Sequence, residues 1–507
     1  MSRRNKFRLV EFTIVLGWCG LAQSAAAGDS VRVIRSGDVI DVTMKHNPSL
    51  QAAVIQEQIA AEAIRAAEGL YPFIFSADTG YTHMSTPMGS SLYRVQDSYA
   101  LGGNITKTFS VGTAVDLRLE GQWYQIDNPA TGSSNAPTGT GSTSAANDSP
   151  NFGIDARLSL TQPLLRGFGN RVGLADLRQA EKEKTAAEKS TDAAASNAAR
   201  DVLLAYWDLW LALKTVEINE RSRDVARQQL EETKQRVASG DAAPVDELSY
   251  QTRLASLMEA VIVSKAEVKS RQVALAEKTG AIEDNTLLSA DIGESLPDMR
   301  EVMPLNDIVR ESLKESPSIQ EAFTQVQIAE ERLKVAGESM RQRLDLIGWI
   351  EAATLAENDA TAMVADFGNG GAYSGYIGLA YELPLDDRKK QGERAQARLA
   401  VQVATRQLQG AKNAVQSDAA RTFQALAAAK ERLAMAEETL RLAQAQAEAE
   451  RERYRLGASI FTAVRDAEET VRGAELRVVG ARIDIVQSEI EIDNLTGVLL
   501  KRLAKRD

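Results

Sequence analysis

Cysteine is almost missing from this chain of 507 residues: Cys19 stands alone against 59 basic and 70 acidic residues. That excludes a disulfide framework and any site built on paired thiolates. Histidine occurs twice, as His46 and His83, isolated from each other and from any serine or aspartate constellation, so nucleophilic catalysis has little to draw on. No glycine-rich phosphate loop is present; GNGGAYSG from Gly368 reads as a flexible connection between strands. Neither a metal nor a cofactor is expected, and no enzyme activity. Aromatics make up only 5% of the residues, whereas Ala, Glu, Gln, Lys, Arg and Leu dominate, the composition of long helices packed through small side chains.

What is there begins with MSRRNKFRLVEFTIVLGWCGLAQSAAAGDS, a basic start, an interrupted apolar stretch and the small residues Ala25-Ala26-Ala27. This reads as a cleavable export signal over residues 1–27, with Glu11 an unusual member. Arg3-Arg4 suggests twin-arginine export but lacks the following Phe-Leu, and Cys19 as a lipidation site has Trp18 where a small residue is needed. Loss of residues 1–27 would remove a net charge of +3, taking −11 to −14, which argues against nucleic acid as a partner. Beyond that segment no apolar run of about 18 residues occurs, so no membrane-spanning helix is expected. Such an exported chain is periplasmic, secreted or an outer-membrane barrel.

An internal repeat organises the rest. VTMKHNPSLQAAVIQEQIAAEAIRAAE from Val42 lies without a gap over ESLKESPSIQEAFTQVQIAEERLKVAG from Glu311, matching Pro48 to Pro317 and Gln51 to Gln320. TQPLLRGFG around Pro163 answers YELPLDDRK around Pro384, and Gly240 answers Gly457. Each half therefore reads as a helix, a strand region, a long helix, a glycine turn and a returning helix. The spans expected are N-terminal helices at 28–72 and 304–341, strand regions at 73–162 and 342–384, helical hairpins at 163–280 and 385–507, and a linker at 281–303.

The spacing from each proline to its glycine, as continuous helix, would reach about 100 Å. Leu426, Leu433, Leu440, Ala447 and Tyr454 recur every seven residues, with Ala429, Ala436 and Ala443 between them, a coiled-coil seam narrow enough for close helix approach. Leu203, Tyr206, Trp207, Trp210 and Leu213 form a bulkier stripe, read as packing rather than a binding site. In the strand regions Ile154, Ala156, Leu158 and Leu160 alternate with Asp155, Arg157, Ser159 and Thr161. Val115, Leu117, Leu119 and Trp123 alternate likewise with Asp116, Arg118, Glu120 and Gln122, and weaker alternation covers Phe75–His83 and Tyr376–Leu383. Segments near 10 residues with one apolar and one charged face fit a barrel between lipid and a water-filled lumen. The small, polar stretch Asn128–Pro150 reads as a mobile extracellular loop. The first half holds one strand pair more than the second, around Tyr99–Lys107 and Thr113–Trp123.

In the KHNPSLQAA opening, the QPLLRGFG strand-to-helix junction, the two long hairpins, the RLG tip and the tandem duplication, the chain resembles the TolC-like outer-membrane efflux proteins. The resemblance implies an α + β membrane protein: a homotrimer sharing one barrel in outer-membrane lipid, continued by an α-helical coiled-coil tunnel across the periplasm. Family members typically contribute four strands per chain to a barrel of twelve, a count the extra pair puts in question. The implied function is a passive conduit from periplasm to exterior, served by a periplasmic adaptor and an inner-membrane transporter. The alternatives are an exported coiled-coil scaffold or adhesin with a soluble β domain, and the adaptor itself, which the duplication disfavours.

Within that resemblance the glycine turns are the periplasmic tips. Arg236, Gly240, Arg455 and Gly457 would meet the adaptor. Asp246 and Tyr454 match positions of a hydrogen-bonded lock, and Asp466 matches an aspartate of a ring at the constriction, where close carboxylates attract cations and repel anions. The second acidic ring position is Ala463 and the lock's supporting arginine is Ser459, so the gate would be looser, or held by other residues such as Arg465. Read for structure alone, Asp246 stabilises a helix N-terminus, Tyr454 continues the heptad seam and Asp466 pairs with Arg465 or Arg472.

Overall fold

The computed structural model describes residues 33–87, 93–127, 150–240, 243–281, 291–301, 303–357, 359–369 and 371–503. The export segment with Cys19, and residues 128–149 of the polar loop, lie outside the described residues.

Each repeat opens with two helices rather than one. α1 (Ser36–His46) and α2 (Pro48–Glu68) break at Asn47, whose side chain accepts hydrogen bonds from the Ser49 and Leu50 amides. α6 (Leu305–Glu315) and α7 (Pro317–Ser339) break at the corresponding Ser316-Pro317. Proline stops the preceding helix and suits the first position of the next, so the break follows from residues the two halves share. Between them the sequence places strands and rods: β2 (Phe73–Pro87), β3 (Tyr93–Thr108), β4 (Ala114–Asp127) and β5 (Asn151–Pro163), then α3 (Asn170–Gly173), α4 (Ala175–Ser239) and α5 (Pro244–Thr279). In the second half β7 (Arg343–Glu357), α8 (Ala360–Gly368) and β8 (Ala372–Glu382) precede α9 (Arg388–Arg455), α10 (Phe461–Leu495) and α11 (Val498–Leu503). A short parallel pair, β1 (Val33–Ile34) with β6 (Asp291–Ile292), ties the linker to the start of the described chain.

α4 and α9 run for 65 and 68 residues, each about 100 Å of helix. The heptad seam is buried as its spacing requires: Leu426, Ala429, Leu433, Ala443 and Ala447 are inaccessible, while Leu440 and Ala436 pack beside them. Each fully buried leucine contributes about 1.5–3 kcal/mol, so such a seam carries the hairpin. The aromatic stripe of α4 is core as well. Leu203, Tyr206, Trp207 and Trp210 pack with Val39 and Ile40 of α1, Leu275 of α5 and Ile483 of α10, and Leu213 lies at the margin. Trp210 Nε1 donates to the Glu294 carbonyl at 3.0 Å and the Tyr206 hydroxyl to the Glu294 carboxylate at 3.0 Å, which satisfies the polar atoms an aromatic core would otherwise strand.

The large sheet is one antiparallel meander, β2-β3-β4-β5-β7-β8. Register keeps the alternation coherent across strands: Leu117 opposes Leu158 and Ile105, and Leu158 opposes Ile350. On the other face Arg118 pairs with Asp78 at 3.1 Å and Glu120 at 2.8 Å, and Arg157 pairs with Glu351. The apolar face carries Phe73, Phe75, Leu101, Leu119, Leu160, Ile377 and Leu379, all exposed. Aromatics gather toward its two ends, Phe73 and Tyr381 by the helices, Tyr81, Tyr99, Trp123 and Tyr373 at the far side, as in barrels that sit in lipid. Among the described residues no helix is long and apolar enough to cross a membrane.

Candidate functional site

The two hairpins end side by side, away from the sheet. Gly240 and Gly457 hold φ of +82° and +76°, the left-handed region in which a side chain is strained, and each lets a rod of more than sixty residues reverse. Leu230, Tyr250, Leu254, Tyr454 and Phe461 form a small apolar cluster just behind these turns, drawn from all four long helices. Tyr250 and Phe461 meet edge to face at 4.1 Å between centroids.

Three of the sequence-predicted site residues converge here. The Arg236 guanidinium lies over the Tyr454 ring, 5.5 Å from its centroid. Asp246, in the first turn of α5, stands near enough that its charge, after burial, raises the Tyr454 pKa, and Arg236 opposes that shift. Asp246 thus serves both a helix start and the tip cluster. The cluster closes one chain's two hairpins on each other, Arg236 and Asp246 from the first and Tyr454 from the second.

The remaining predicted residues face outward. Asp466 is 67% exposed and pairs with its neighbour Arg465 at 2.7 Å. Arg472, the other partner considered for it, binds Glu469 and Asn219 instead. Arg455 pairs with Glu452 at 2.6 Å on the surface of α9. Ser459, at the position the resemblance gives to a supporting arginine, donates to Glu450 at 2.7 Å and holds that carboxyl below its ordinary range. Arg465 donates from Nε and Nη2 to Asp466 Oδ1.

A stronger link was not found by sequence reasoning. Glu468 of α10 is 5% exposed; its Oε1 accepts from Arg451 Nε of α9 at 2.7 Å and from Gln229 Nε2 of α4 at 2.7 Å, and its Oε2 lies 2.7 Å from Arg253 Nη2 of α5 in an ion pair without hydrogen-bond geometry. One carboxylate therefore joins all four rods. Glu468 Oε2, Arg253 Nη1 and Gln229 Oε1 are buried there without a hydrogen-bond partner. An incompletely satisfied buried charge costs several kcal/mol of desolvation, so this node holds the tips together without making their separation prohibitive. No sequence signal marks it: Glu468 sits among surface acids in AEET, and its partners lie on three other helices.

A sequence model of the family described as "Outer membrane efflux protein" matches residues 129–281 and 308–498. No curated protein sequence matches the chain. Among solved structures, the outer membrane protein VceC of Vibrio cholerae superposes with a TM-score of 0.64 at 17% identity, over 91% of this chain and 96% of that one. The outer-membrane channel OprN gives 0.66 at 16% identity, over 91% and 89%. The CmeC outer membrane channel of Campylobacter jejuni gives 0.64 at 15% identity, over 93% and 88%. At these identities the likeness is one of fold.

Proposed function

The chain belongs to the outer membrane efflux protein family, and from that premise we propose that it is the outer-membrane channel of a tripartite efflux or type I secretion system. Three copies share one barrel in outer-membrane lipid, and their hairpins form a tunnel through the periplasm that ends at the glycine tips. A periplasmic adaptor meets the tips around Arg236, Gly240, Arg455 and Gly457, and an inner-membrane transporter drives the cargo. The chain itself is a passive conduit, gated where Asp246, Tyr454 and Asp466 lie.

One observation carries this reading: a sheet with one apolar and one charged face stands at the end of helical hairpins about 100 Å long. A six-stranded sheet cannot close alone, and a single chain leaves Leu399 and Val403 of α9 and Ile262 and Val263 of α5 bare. Cyclic association of identical subunits covers such stripes and closes the sheet in one step. A soluble scaffold or adhesin would have to cover Phe73, Ile377 and Leu379, and no element among the described residues does so. The experiment is reconstitution in planar bilayers beside heat-modifiable migration on gels. Discrete cation-preferring conductance from an oligomer supports the channel, and a soluble, non-conducting protein excludes it.

A further inference from the structure

We propose that each chain gives six strands to the shared barrel, so that three copies close an eighteen-stranded wall with a porin-sized, water-filled mouth. This rests on the trimeric channel proposed above.

The pair β3 and β4 is built into the sheet rather than hung upon it. β2 pairs along its whole length, Phe73 to Pro87, with β3, while β5 pairs with β4, so the two outer strands of the first repeat never touch. Without the inserted pair β2 would lie beside β5 and three chains would supply twelve strands. The turn between β3 and β4 is seated on the junction of sheet and rod. The Gly169 amide donates to the Val111 carbonyl at 3.0 Å, and Ser110 Oγ donates to Asn170 Oδ1 at 3.1 Å. A Cβ on Gly173 would come within 1.8 Å of the Ser110 carbonyl oxygen, so backbone meets backbone there.

The inserted strands also carry both faces of the wall. Outward, Tyr81, Tyr99 and Trp123 form one row across β2, β3 and β4, with centroids 4.8 and 5.2 Å apart. Inward, Arg118 of β4 reaches across β3 to Asp78 of β2, and Thr106 of β3 donates to Asp116 of β4 at 2.8 Å. A hairpin folded into the lumen as a plug would have no use for the lipid-compatible row Leu101, Ile105, Leu117 and Leu119.

Closure between copies needs antiparallel edges. β2 leaves the helical end and β8 returns to it, so an even count of six sets β8 of one copy against β2 of the next in opposite directions. The outer sides of β2 and β8, strands of 15 and 11 residues, face no further strand among the described residues. In hydrocarbon each unpaired backbone group costs several kcal/mol, and a second copy's edge is the partner that satisfies both at once. At equal tilt, eighteen strands give about 1.5 times the circumference and roughly 2.25 times the cross-section of twelve. Bulky hydrated cargo then meets its one narrow passage at the helical tips.

Cryo-electron microscopy of the full chain in lipid nanodiscs tests this directly. Eighteen strands around a trimer support the proposal. A trimer with twelve overturns it while leaving the channel reading intact, and a protein that is no trimer overturns both. Cysteine pairs give a second readout without density. Ala77→Cys with Gly103→Cys, opposed in β2 and β3, should crosslink fully in membranes. Ala77→Cys combined with Ile154→Cys, Ala156→Cys or Leu158→Cys of β5 should not. Crosslinking of β2 to β5 would contradict the six-stranded contribution.

Discussion

Glu468 and Arg253 stand 2.7 Å apart with side chains 5% and 9% exposed, the most deeply buried charge contact that joins the two hairpins near their tips. Removing one member strands the other. Glu468→Ala is therefore expected to cost about 3–5 kcal/mol of local stability, whereas Glu468→Leu with Arg253→Met should recover most of it. Hydrogen exchange of the tip helices reads the loss, and single-channel conductance should rise in the single variant as the tips loosen. If Glu468→Ala leaves exchange and conductance as in the parent, the node does not hold the tips.

Asp246 and Tyr454, the proposed lock, lie at the same end. Asp246→Ala combined with Tyr454→Phe removes the charge and the hydroxyl but leaves the apolar cluster around Tyr250 and Phe461. The expected outcome is a several-fold rise in conductance in a planar bilayer with little change in thermal stability. Unchanged conductance would exclude the lock.

Charge at the proposed aperture is separable from closure. Asp466 is exposed and shares its charge with Arg465, so Asp466→Asn should lower cation preference and Arg465→Ala should raise it, both without changing the oligomer. Reversal potentials under a salt gradient measure the two shifts. Identical potentials in both variants would place Asp466 away from the ion path.

Two buried tyrosines, Tyr250 at the tips and Tyr206 in the core against α1, should couple stability to alkaline pH. Burial first, then the nearby Tyr454 and Glu468, hold the Tyr250 phenol well above 10.0, with Arg253 and Arg236 pulling the other way. Burial and Glu294 raise Tyr206 in the same sense. A phenol raised in the folded state stays protonated where the unfolded chain's ionises. The stability it contributes is full below pH 10.0 and is lost as the pH climbs from there toward the folded value. Tyrosinate absorbance from these two residues should thus appear together with loss of helical circular dichroism. Ionisation near 10.0 with helices intact would contradict the burial of both.

Much of this architecture could be read from residue spacing. The heptad from Leu426 to Ala447 gave the rod, the alternation at Val115–Trp123 and Ile154–Leu160 gave two strands and their apolar faces, though not their register, and the match of Pro48 to Pro317 gave the duplication. β7 was less visible, because its charged-face positions include Ile347, Trp349 and Leu355, which blur the period. Trp349 is at home there because Arg157 lies 4.6 Å over its ring and Tyr376 stacks beside it. The helix α8 was read as part of a strand region, although Asp359 caps it through the Thr361 and Ala362 amides. Glu468 was hidden for a deeper reason: a buried acid on a polar helix differs from a surface acid only through partners 17, 215 and 239 positions away, which spacing along one helix does not encode.

The most direct test of the channel itself is the state of the purified full-length protein in the membrane. Mass photometry in nanodiscs, with conductance from the same preparation, should find three copies forming one pore. A monomer that remains soluble without detergent and carries no current would contradict it.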